Sequence, residues 1–452
     1  MRNAITILLL LFLTTTAVAL GPPAIEWEKT FGTEFYDIWE TQEGNIIVGA
    51  HDSLFLTDSD GDIIWSTTST EIGWHYFKFQ VVLPLSSGGF LATGVGKVEE
   101  NSSFSIPIAR FTEEGNLIWL KSYGYTEFTE YAYDAVELPD GGYAFAARKG
   151  GTAWILRTDS EGDTLWTREW AYTSWATAVS ILYHDNGLLV FAQGNTPSTS
   201  GGPHLLRYDL DGNLLWANNF PDWPGTVTPG AQAMCEASDG GLLLMDNYWP
   251  VIMHTDYEGN TDWWFGVQGG NQPYGYSLDT TMDGGIIFGG EQMGGPPKSI
   301  CGIIGRYDST GNQLWHDWVY NSDCAVIYSV RQLSHGGYIA AGKTDTQGIL
   351  IKYAPETGIE ESEASSLIEI DLSPNPFSSA LSVGFDLPEA MEVSVSVFDL
   401  NGRVVDEVAS DFFPAGGSVL EWNAPEELGS GCYLIRLESA SEFVTRNCIL
   451  LR

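Results

Sequence analysis

The stretch that decides the fold is DLDGNLLW, residues 209–216, because five relatives of it recur along the chain. They are DSDGDIIW (58–65), TEEGNLIW (112–119), DSEGDTLW (159–166), DYEGNTDW (256–263) and DSTGNQLW (308–315). Trp27, in AIEWEKTFG, stands where a seventh copy would begin, and successive tryptophans are 38 to 54 residues apart, 48 on average. A period of this length is typical of an array of identical supersecondary units.

A second signature alternates with the first and places a tight turn before an apolar run. Its seven copies read QEGNIIVGA, SSGGFLATG, PDGGYAFAA, DNGLLVFAQ, SDGGLLLMD, MDGGIIFGG and HGGYIAAGK. Each unit therefore holds four short apolar runs separated by turn residues, and no segment of helical periodicity is long enough to compete. The pattern predicts an all-β chain in which residues 24–354 form a seven-bladed β-propeller of four-stranded antiparallel blades.

The ends of the repeat region predict how the ring closes. The last unit stops one strand short, at GILIKYAPETG (348–358), so the N-terminal strand with Trp27 should complete the last blade. The repeated tryptophans should lie early on the outermost strands and pack between neighbouring sheets. The units resemble the tryptophan-docking repeats of secreted bacterial propellers, seen also in quinoprotein-like domains. That resemblance implies a fold and says little about activity.

Charge and the first residues indicate the compartment. The 452 residues include 59 acidic and 20 basic side chains, a net charge of −39, which disfavours nucleic acid and anionic membrane surfaces as partners. Residues 1–19 are predicted to be a signal peptide, with the apolar run Ala4–Leu13 and the cleavage motif Ala17-Val18-Ala19. No other stretch reaches 18 apolar residues, so no transmembrane segment is expected in the mature chain.

The last part of the chain has a different pattern. Residues 355–366, PETGIEESEASS, are predicted to be an acidic linker, and residues 367–452 alternate with period two, which predicts a small immunoglobulin-like β-sandwich. Its motifs are SPNPF with Pro374, Asn375 and Pro376, FDLNGR with Gly402 and Arg403, and GCY with Gly431 and Tyr433.

On these motifs the module resembles the type A sorting domain of the type IX secretion system. Cys432 stands where that family usually has Val. The resemblance implies export through the periplasm to the cell surface or medium, with the type IX machinery at the outer membrane as partner.

The cysteines leave two interpretations open. The candidate disulfides are Cys301–Cys324 and Cys432–Cys448, and Cys235 would remain single. The second pairing depends on register, because Cys432 falls opposite Cys448 only if Leu437 faces Phe443. The alternative for each pair is a set of small buried thiols.

The arrangement of turns predicts which end of the ring binds a ligand. Both tight hairpins of each unit lie at one end, so the longer connections gather at the other end, which we call the loop face. Its aromatic residues could stack on a glycan or grip a peptide, or they could plug the channel mouth and pack on each other. The candidate binding residues are Trp74, His75, Tyr76, Tyr125, Tyr131, Trp175, Trp223, Trp249, Tyr274 and Tyr276.

No motif nominates a catalytic residue, a cofactor or a metal. Residues 337–344, GYIAAGKT, match the phosphate-loop pattern but coincide with a strand of the repeat. Asp58, Asp60 and Asp62 fit a hairpin turn better than a calcium loop, and the seven histidines lack zinc spacing. We therefore expect a secreted binding or scaffold protein. The alternative is a carbohydrate-active or quinone-type enzyme that uses the central channel. Three or more charged groups in a deep channel pocket would favour the enzyme, whereas an apolar plug would favour the scaffold.

Overall fold

The structure is a computed structural model and every regular element in its described residues is a β-strand. It describes residues 21–450 except 101, 125–129, 171–175, 195–201, 221–222, 225–229, 268–270, 294–299, 320–324, 346, 357–368, 376, 388–389, 399–403, 426–427, 430 and 440–442. The chain divides into two compact units, the first ending at Glu356 and the second beginning at Thr357.

The first unit consists of seven four-stranded antiparallel sheets, each forming one blade. Blade 1 contains β2 (Phe35–Glu40), β3 (Ile46–Ala50), β4 (Ser53–Thr57) and β5 (Ile63–Thr68). Blade 2 contains β6 (Tyr76–Pro84), β7 (Phe90–Lys97), β8 (Ile106–Phe111) and β9 (Leu117–Tyr123). Blade 3 contains β10 (Glu130–Glu137), β11 (Tyr143–Lys149), β12 (Thr152–Thr158) and β13 (Thr164–Trp170). Blade 4 contains β14 (Ala176–His184), β15 (Gly187–Gly194), β16 (Pro203–Asp209) and β17 (Leu214–Asn219).

The remaining three blades follow in chain order, and the last one includes the first strand of the chain. Blade 5 contains β18 (Ala231–Glu236), β19 (Leu242–Asp246), β20 (Val251–Thr255) and β21 (Thr261–Gly266). Blade 6 contains β22 (Asn271–Thr280), β23 (Ile286–Met293), β24 (Cys301–Tyr307) and β25 (Gln313–Val319). Blade 7 contains β26 (Ala325–Gln332), β27 (Tyr338–Thr344), β28 (Gly348–Tyr353) and β1 (Ile25–Phe31).

The seven blades form a closed ring. The innermost strand of each blade contacts the innermost strand of the next, and β26 of blade 7 contacts β2 of blade 1. Strand β1 pairs antiparallel with β28, with Trp27 opposite Lys352, and so supplies the outermost strand of blade 7. The predicted seven-bladed propeller and its closure by the N-terminal strand are confirmed.

The D-x-x-G hairpins have the predicted turn chemistry. In blade 1 the carboxylate of Asp58 accepts the backbone N–H groups of Asp60 and Asp62 at 3.0 and 2.8 Å. Gly61 adopts a φ of 75°, a left-handed conformation that costs an ordinary residue about 1–2 kcal/mol. The carboxylate of Asp58 is thus occupied by the backbone of its own turn, as expected for a hairpin rather than a calcium loop.

Four of the six D-x-x-G turns are also docking sites for an indole of the preceding blade, at Gly61, Gly115, Gly162 and Gly212. Trp65 of β5 lies against Gly115 in the hairpin of blade 2, so close that a Cβ there would meet the ring at 2.6 Å. Its Nε1 donates to the carbonyl of Glu113 at 2.9 Å. Trp27 makes the same pair of contacts with Gly61 and the carbonyl of Ser59. The tryptophans therefore pack between blades, as the sequence predicts.

Blade 7 needs a different partner for the incoming indole, because its outermost strand does not follow a D-x-x-G hairpin. Trp315 of blade 6 donates from Nε1 to the carboxylate of Glu356 at 2.7 Å, and Tyr338 donates to the same oxygen at 2.7 Å. The Arg306 guanidinium, which is 1% exposed, lies 3.3 Å from it. Glu356 therefore replaces the turn carbonyl that receives the indole in blades 1 and 2.

The second unit is a two-sheet sandwich. One sheet contains β29 (Glu369–Ser373), β30 (Ala380–Leu387) and β33 (Gly416–Asn423). The other contains β31 (Met391–Phe398), β32 (Val404–Phe413), β34 (Gly431–Ser439) and β35 (Phe443–Leu450). Trp422 is buried between the sheets against Phe377 and Tyr433, and its Nε1 donates to Asp406 at 2.8 Å.

The last hairpin does not have the register on which the Cys432–Cys448 pairing depends. Leu437 pairs with Val444 instead of Phe443, so Cys432 stands opposite Ile449 and Cys448 opposite Tyr433. Because neighbouring positions of a strand point to opposite faces, this register removes the argument that placed Cys432 and Cys448 side by side. Cys324, the expected partner of Cys301, lies outside the described residues.

Candidate ligand-binding site

The seven innermost strands share one irregularity that shapes the channel. Each has a β-bulge at the equivalent position of its pairing with the second strand of the blade. A bulge re-aims the extra side chain away from the regular pleat. The bulged residues are Tyr36, Gln80, Tyr133, Val179, Gln232, Tyr276 and Tyr328, and all of them line a cavity of about 400 Å³.

The cavity has an aromatic side, formed by blades 6, 7 and 1. The ring of Tyr328 lies 5.2 Å from that of Tyr276 and 5.4 Å from that of Tyr36, measured between centroids. Tyr276 donates to Glu291 at 2.9 Å and Tyr36 donates to Glu34 at 2.5 Å, so hydrogen bonds hold the outer two rings in place. We call these three tyrosines the tyrosine wall.

Blades 2 to 5 present polar groups to the same cavity. Their contribution includes Lys78, Gln80, Arg148, Thr177, Gln193 and Gln232. The ammonium of Lys78 lies 3.7 Å from the centroid of the Tyr36 ring, and the Arg148 Nε donates to the carbonyl of Gly150 at 2.9 Å. Within the described residues, neither cation has a carboxylate within 4.0 Å. Burial lowers the pKa of Lys78 to about 8.

Two carboxylates at the base of the cavity join neighbouring blades. Asp37 accepts the N–H of Val82 in blade 2 and the hydroxyl of Ser329 in blade 7, each at 3.1 Å. Asp134 accepts the hydroxyl of Ser180 at 2.6 Å and the N–H of Ile181 at 2.9 Å, both in blade 4. Burial raises the pKa of both groups, that of Asp134 to about 6. These acids are occupied by the scaffold, which leaves them poorly placed to exchange protons with a ligand.

Arg331 is a further charged residue of the cavity with a structural role. Its guanidinium stacks 3.4 Å from the Trp39 ring centroid, donates to the carbonyl of Ile38 and pairs with Asp279 at 3.1 Å. Five charged side chains therefore line the cavity, but three of them, Asp37, Asp134 and Arg331, connect strands of the ring. Lys78 and Arg148 are the two that remain.

The candidate residues from the sequence have different environments. Trp74 is buried against Phe77 and Gly96, and Trp223 is buried against Phe191 and Phe220. This burial favours a packing role for both indoles over contact with a ligand.

The other candidates are closer to the surface or to the cavity. Tyr276 lines the cavity, Tyr131 contacts the cavity residue Tyr133, and Tyr76 contacts His51. His75 is exposed. Tyr125 and Trp175 lie outside the described residues.

Among the described tryptophan and tyrosine candidates of the loop face, Trp249 is the most accessible, with 44% of its surface exposed. Its φ of 51° is left-handed, an unusual conformation for a large side chain. Tyr248 connects it to blade 6 by contacting Tyr274 at 5.1 Å between centroids. The structure therefore brings Trp249 and Tyr274 together at the rim.

Sequence reasoning missed the tyrosine wall except for Tyr276, and it missed Lys78 and Arg148. A signal for the bulged residues does exist. Each of the seven lies eight residues before a turn glycine of the second signature, as Tyr36 precedes Gly44 and Tyr328 precedes Gly336. Aligning the copies on that glycine places the bulged residues in one column.

Residues 371–451 match the family model described as "Secretion system C-terminal sorting domain". The C-terminal unit is a type IX secretion sorting domain. The protein is therefore exported to the cell surface or the extracellular space, as the sequence predicts. The motif residue Tyr433 is buried and donates to the carbonyl of Gly429 at 2.9 Å, whereas Pro374 and Asn375 are exposed. Pro376, Gly402 and Arg403 lie outside the described residues, and Gly431 begins β34.

The solved structures that are similar to the chain include the following three. A protein of unknown function from Bacteroides caccae is 17% identical, with a TM-score of 0.41 over 60% of this chain and 92% of its own. An extracellular domain described as part of a hybrid two-component system of B. thetaiotaomicron is 10% identical, with a TM-score of 0.49 over 94% and 59%. A WD40 domain of Neurospora crassa is 8% identical, with a TM-score of 0.47 over 71% and 90%. No curated protein matches the sequence.

Metal-binding clusters and membrane-spanning helices are both absent from the part of the chain that the structure describes. No group of three or more His, Cys, Asp or Glu side chains there is arranged to hold a metal ion. No helix among the same residues is long and apolar enough to cross a membrane.

Proposed function

We propose that the exported propeller is a saccharide-binding protein, whose site is the channel cavity at the loop face. The observation that carries this proposal is the tyrosine wall opposite a set of hydrogen-bond donors and acceptors. Sugar rings have apolar C–H faces that stack on aromatic rings and hydroxyls at their edges that need polar partners. Tyr36, Tyr276 and Tyr328 offer the first kind of surface, and Gln80, Gln193 and Gln232 offer the second.

The rigidity of the wall supports a binding role. The hydroxyls of Tyr36 and Tyr276 are engaged by Glu34 and Glu291, and the ammonium of Lys343 lies 5.8 Å from the centroid of the Tyr328 ring. A surface that is fixed before the ligand arrives loses less conformational entropy on binding. The exposed Trp249 at the rim offers a further stacking surface for a longer saccharide.

A glycan array followed by titration calorimetry tests this proposal. Tyr328→Ala should weaken binding of any saccharide hit at least tenfold, because it removes the central ring of the wall. Tyr183→Ala is the matched control, since Tyr183 is half-buried on an innermost strand at the opposite end of the ring. The proposal would be contradicted if the wild type, Tyr328→Ala and Tyr183→Ala bound the saccharide with equal affinity, or if the protein bound peptides and no saccharide.

An enzyme acting on saccharides is the second candidate, and Lys78 is the observation that favours it. A lysine whose pKa is about 8 has a neutral fraction of roughly a tenth at pH 7, enough to act as a general base. Incubation of a bound oligosaccharide with the protein, followed by mass spectrometry of the products, separates the two functions. Turnover that disappears in Lys78→Gln would establish the enzyme, and an unchanged oligosaccharide would leave binding alone.

A further inference from the structure

We infer that the saccharide bound in the channel cavity is acidic, with its carboxylate held by Lys78 and Arg148. This inference rests on the proposed saccharide-binding function and adds the charge of the ligand. A carboxylated sugar would place its ring on the tyrosine wall and its acid group toward blades 2 and 3, where the two cations lie.

The charge balance of the cavity carries the argument. The carboxylates near Lys78 already have partners: Glu34 pairs with Lys343 at 3.4 Å and accepts from Tyr36. At the base, Asp37 pairs with Arg331 and Asp134 is held by donors of blade 4. Lys78 and Arg148 have no such partner within 4.0 Å in the described part of the chain.

Of the seven lysines in the described part of the chain, five pair with a carboxylate, and Lys78 and Lys97 are the two that do not. With 59 acidic and 20 basic residues, a carboxylate is readily available for most lysines, as Lys29, Lys121 and Lys149 show by pairing at 2.6 Å. A half-buried ammonium without a counter-ion pays a desolvation cost unless a ligand neutralises it. Its position against a ligand-sized cavity therefore indicates a ligand that brings a negative charge.

The neighbouring groups explain how the site would respond to pH. Burial is the largest effect on Lys78 and lowers its pKa to about 8, Glu34 acts in the opposite direction, and Lys343 adds to the lowering. Tyr36, Tyr133 and Tyr328 also line the cavity, and burial raises the pKa of each phenol. The carboxyls of Asp37 and Asp134 line it as well, and burial raises the pKa of both, that of Asp134 to about 6. Affinity for an acid should therefore fall as the pH rises from 7 to 9.

The test compares saccharides that differ only in the acid group. Trisaccharides of glucuronic, galacturonic and mannuronic acid are titrated alongside their carboxyl-reduced counterparts, at pH 7 and pH 9. At least one acidic member should bind tenfold or more tightly than its reduced form. Lys78→Gln should abolish that preference, so that each acidic saccharide binds no more tightly than its reduced form.

Lys97→Gln is the control variant. Lys97 lies on the second strand of the same blade and also sits over an aromatic ring, at 4.4 Å from Phe104, but it does not line the cavity. It should retain the preference for the acid. The inference would be overturned if each acidic saccharide bound with the same affinity as its reduced form, or if Lys78→Gln kept the preference for the acid. In either case, loss of saccharide binding in Tyr328→Ala would still support the saccharide site itself. Failure of all saccharides to bind would refute the proposed function as well.

Discussion

The contact between Trp65 and Gly115 makes a quantitative test of indole docking feasible. Gly115→Ala places a Cβ at 2.6 Å from the Trp65 ring and at a φ of 80°. Left-handed backbone costs a non-glycine residue about 1–2 kcal/mol, and forcing an extra carbon into a packed contact costs about 1–3 kcal/mol. The variant should therefore lose about 2–5 kcal/mol of unfolding free energy.

Gly141→Ala is a matched control, because it separates the two costs. Gly141 has the same φ of 80°, in a D-G-G hairpin, but the nearest atom that its new Cβ would meet belongs to Ser160 and is 3.8 Å away. This variant should lose only about 1–2 kcal/mol, the backbone contribution. The difference of about 1–3 kcal/mol between the variants measures the indole contact.

Urea unfolding followed by tryptophan fluorescence provides the measurement, with an unchanged m value as the sign that the same surface unfolds. Adding Trp65→Ala should make the two glycine positions equivalent, since the ring that Gly115→Ala collides with is then gone. Equal losses in Gly115→Ala and Gly141→Ala, or a difference that persists without Trp65, would refute the docking argument.

Three further predictions concern closure, pH and export. Glu356→Ala should cost about 2–4 kcal/mol in thermal or urea unfolding, because Trp315 and Arg306 lose a partner, and Glu356→Gln should cost less because it keeps an acceptor. Burial raises the pKa of Asp134 from 3.8 to about 6, so the fold loses stability as the pH rises between these two values. The stability advantage of the wild type over Asp134→Asn should shrink by about 2 kcal/mol between pH 4 and 7, and a constant difference would contradict this. Deleting residues 367–452 should retain the propeller in the periplasm, and cell fractionation that finds it outside would contradict the export role.

The propeller could be predicted because its decisive interactions are local in sequence. Asp58 caps a turn only a few residues long, and Gly61 supplies the φ that the turn requires, so the pattern is visible within eight letters. Regular repetition of that pattern then specified the number of blades. The export domain was equally accessible, because its motifs are short and ordered.

The cavity was harder to predict, because it forms where seven distant segments meet at one axis. Tyr36 and Tyr328 contact each other at 5.4 Å although blades 1 and 7 lie at opposite ends of the ring sequence. Attention to aromatic connections favoured Trp74 and Trp223, both of which are buried. Nor does an alternating strand pattern specify a one-residue shift, so the sequence alone could not decide whether Leu437 faces Phe443 or, as found, Val444.

The closure of blade 7 by β1 has a consequence for how the molecule is completed. Trp27 and Lys352 are about 325 residues apart in sequence, so the earliest strand to be synthesised waits longest for its neighbour. Six blades can form without closing the ring, whereas blade 7 is complete only when the first and the last strands of the propeller have paired. Cleavage within β1 would thus leave blade 7 with an unpaired edge strand and remove the strand that closes the ring, even if the other six blades remained folded.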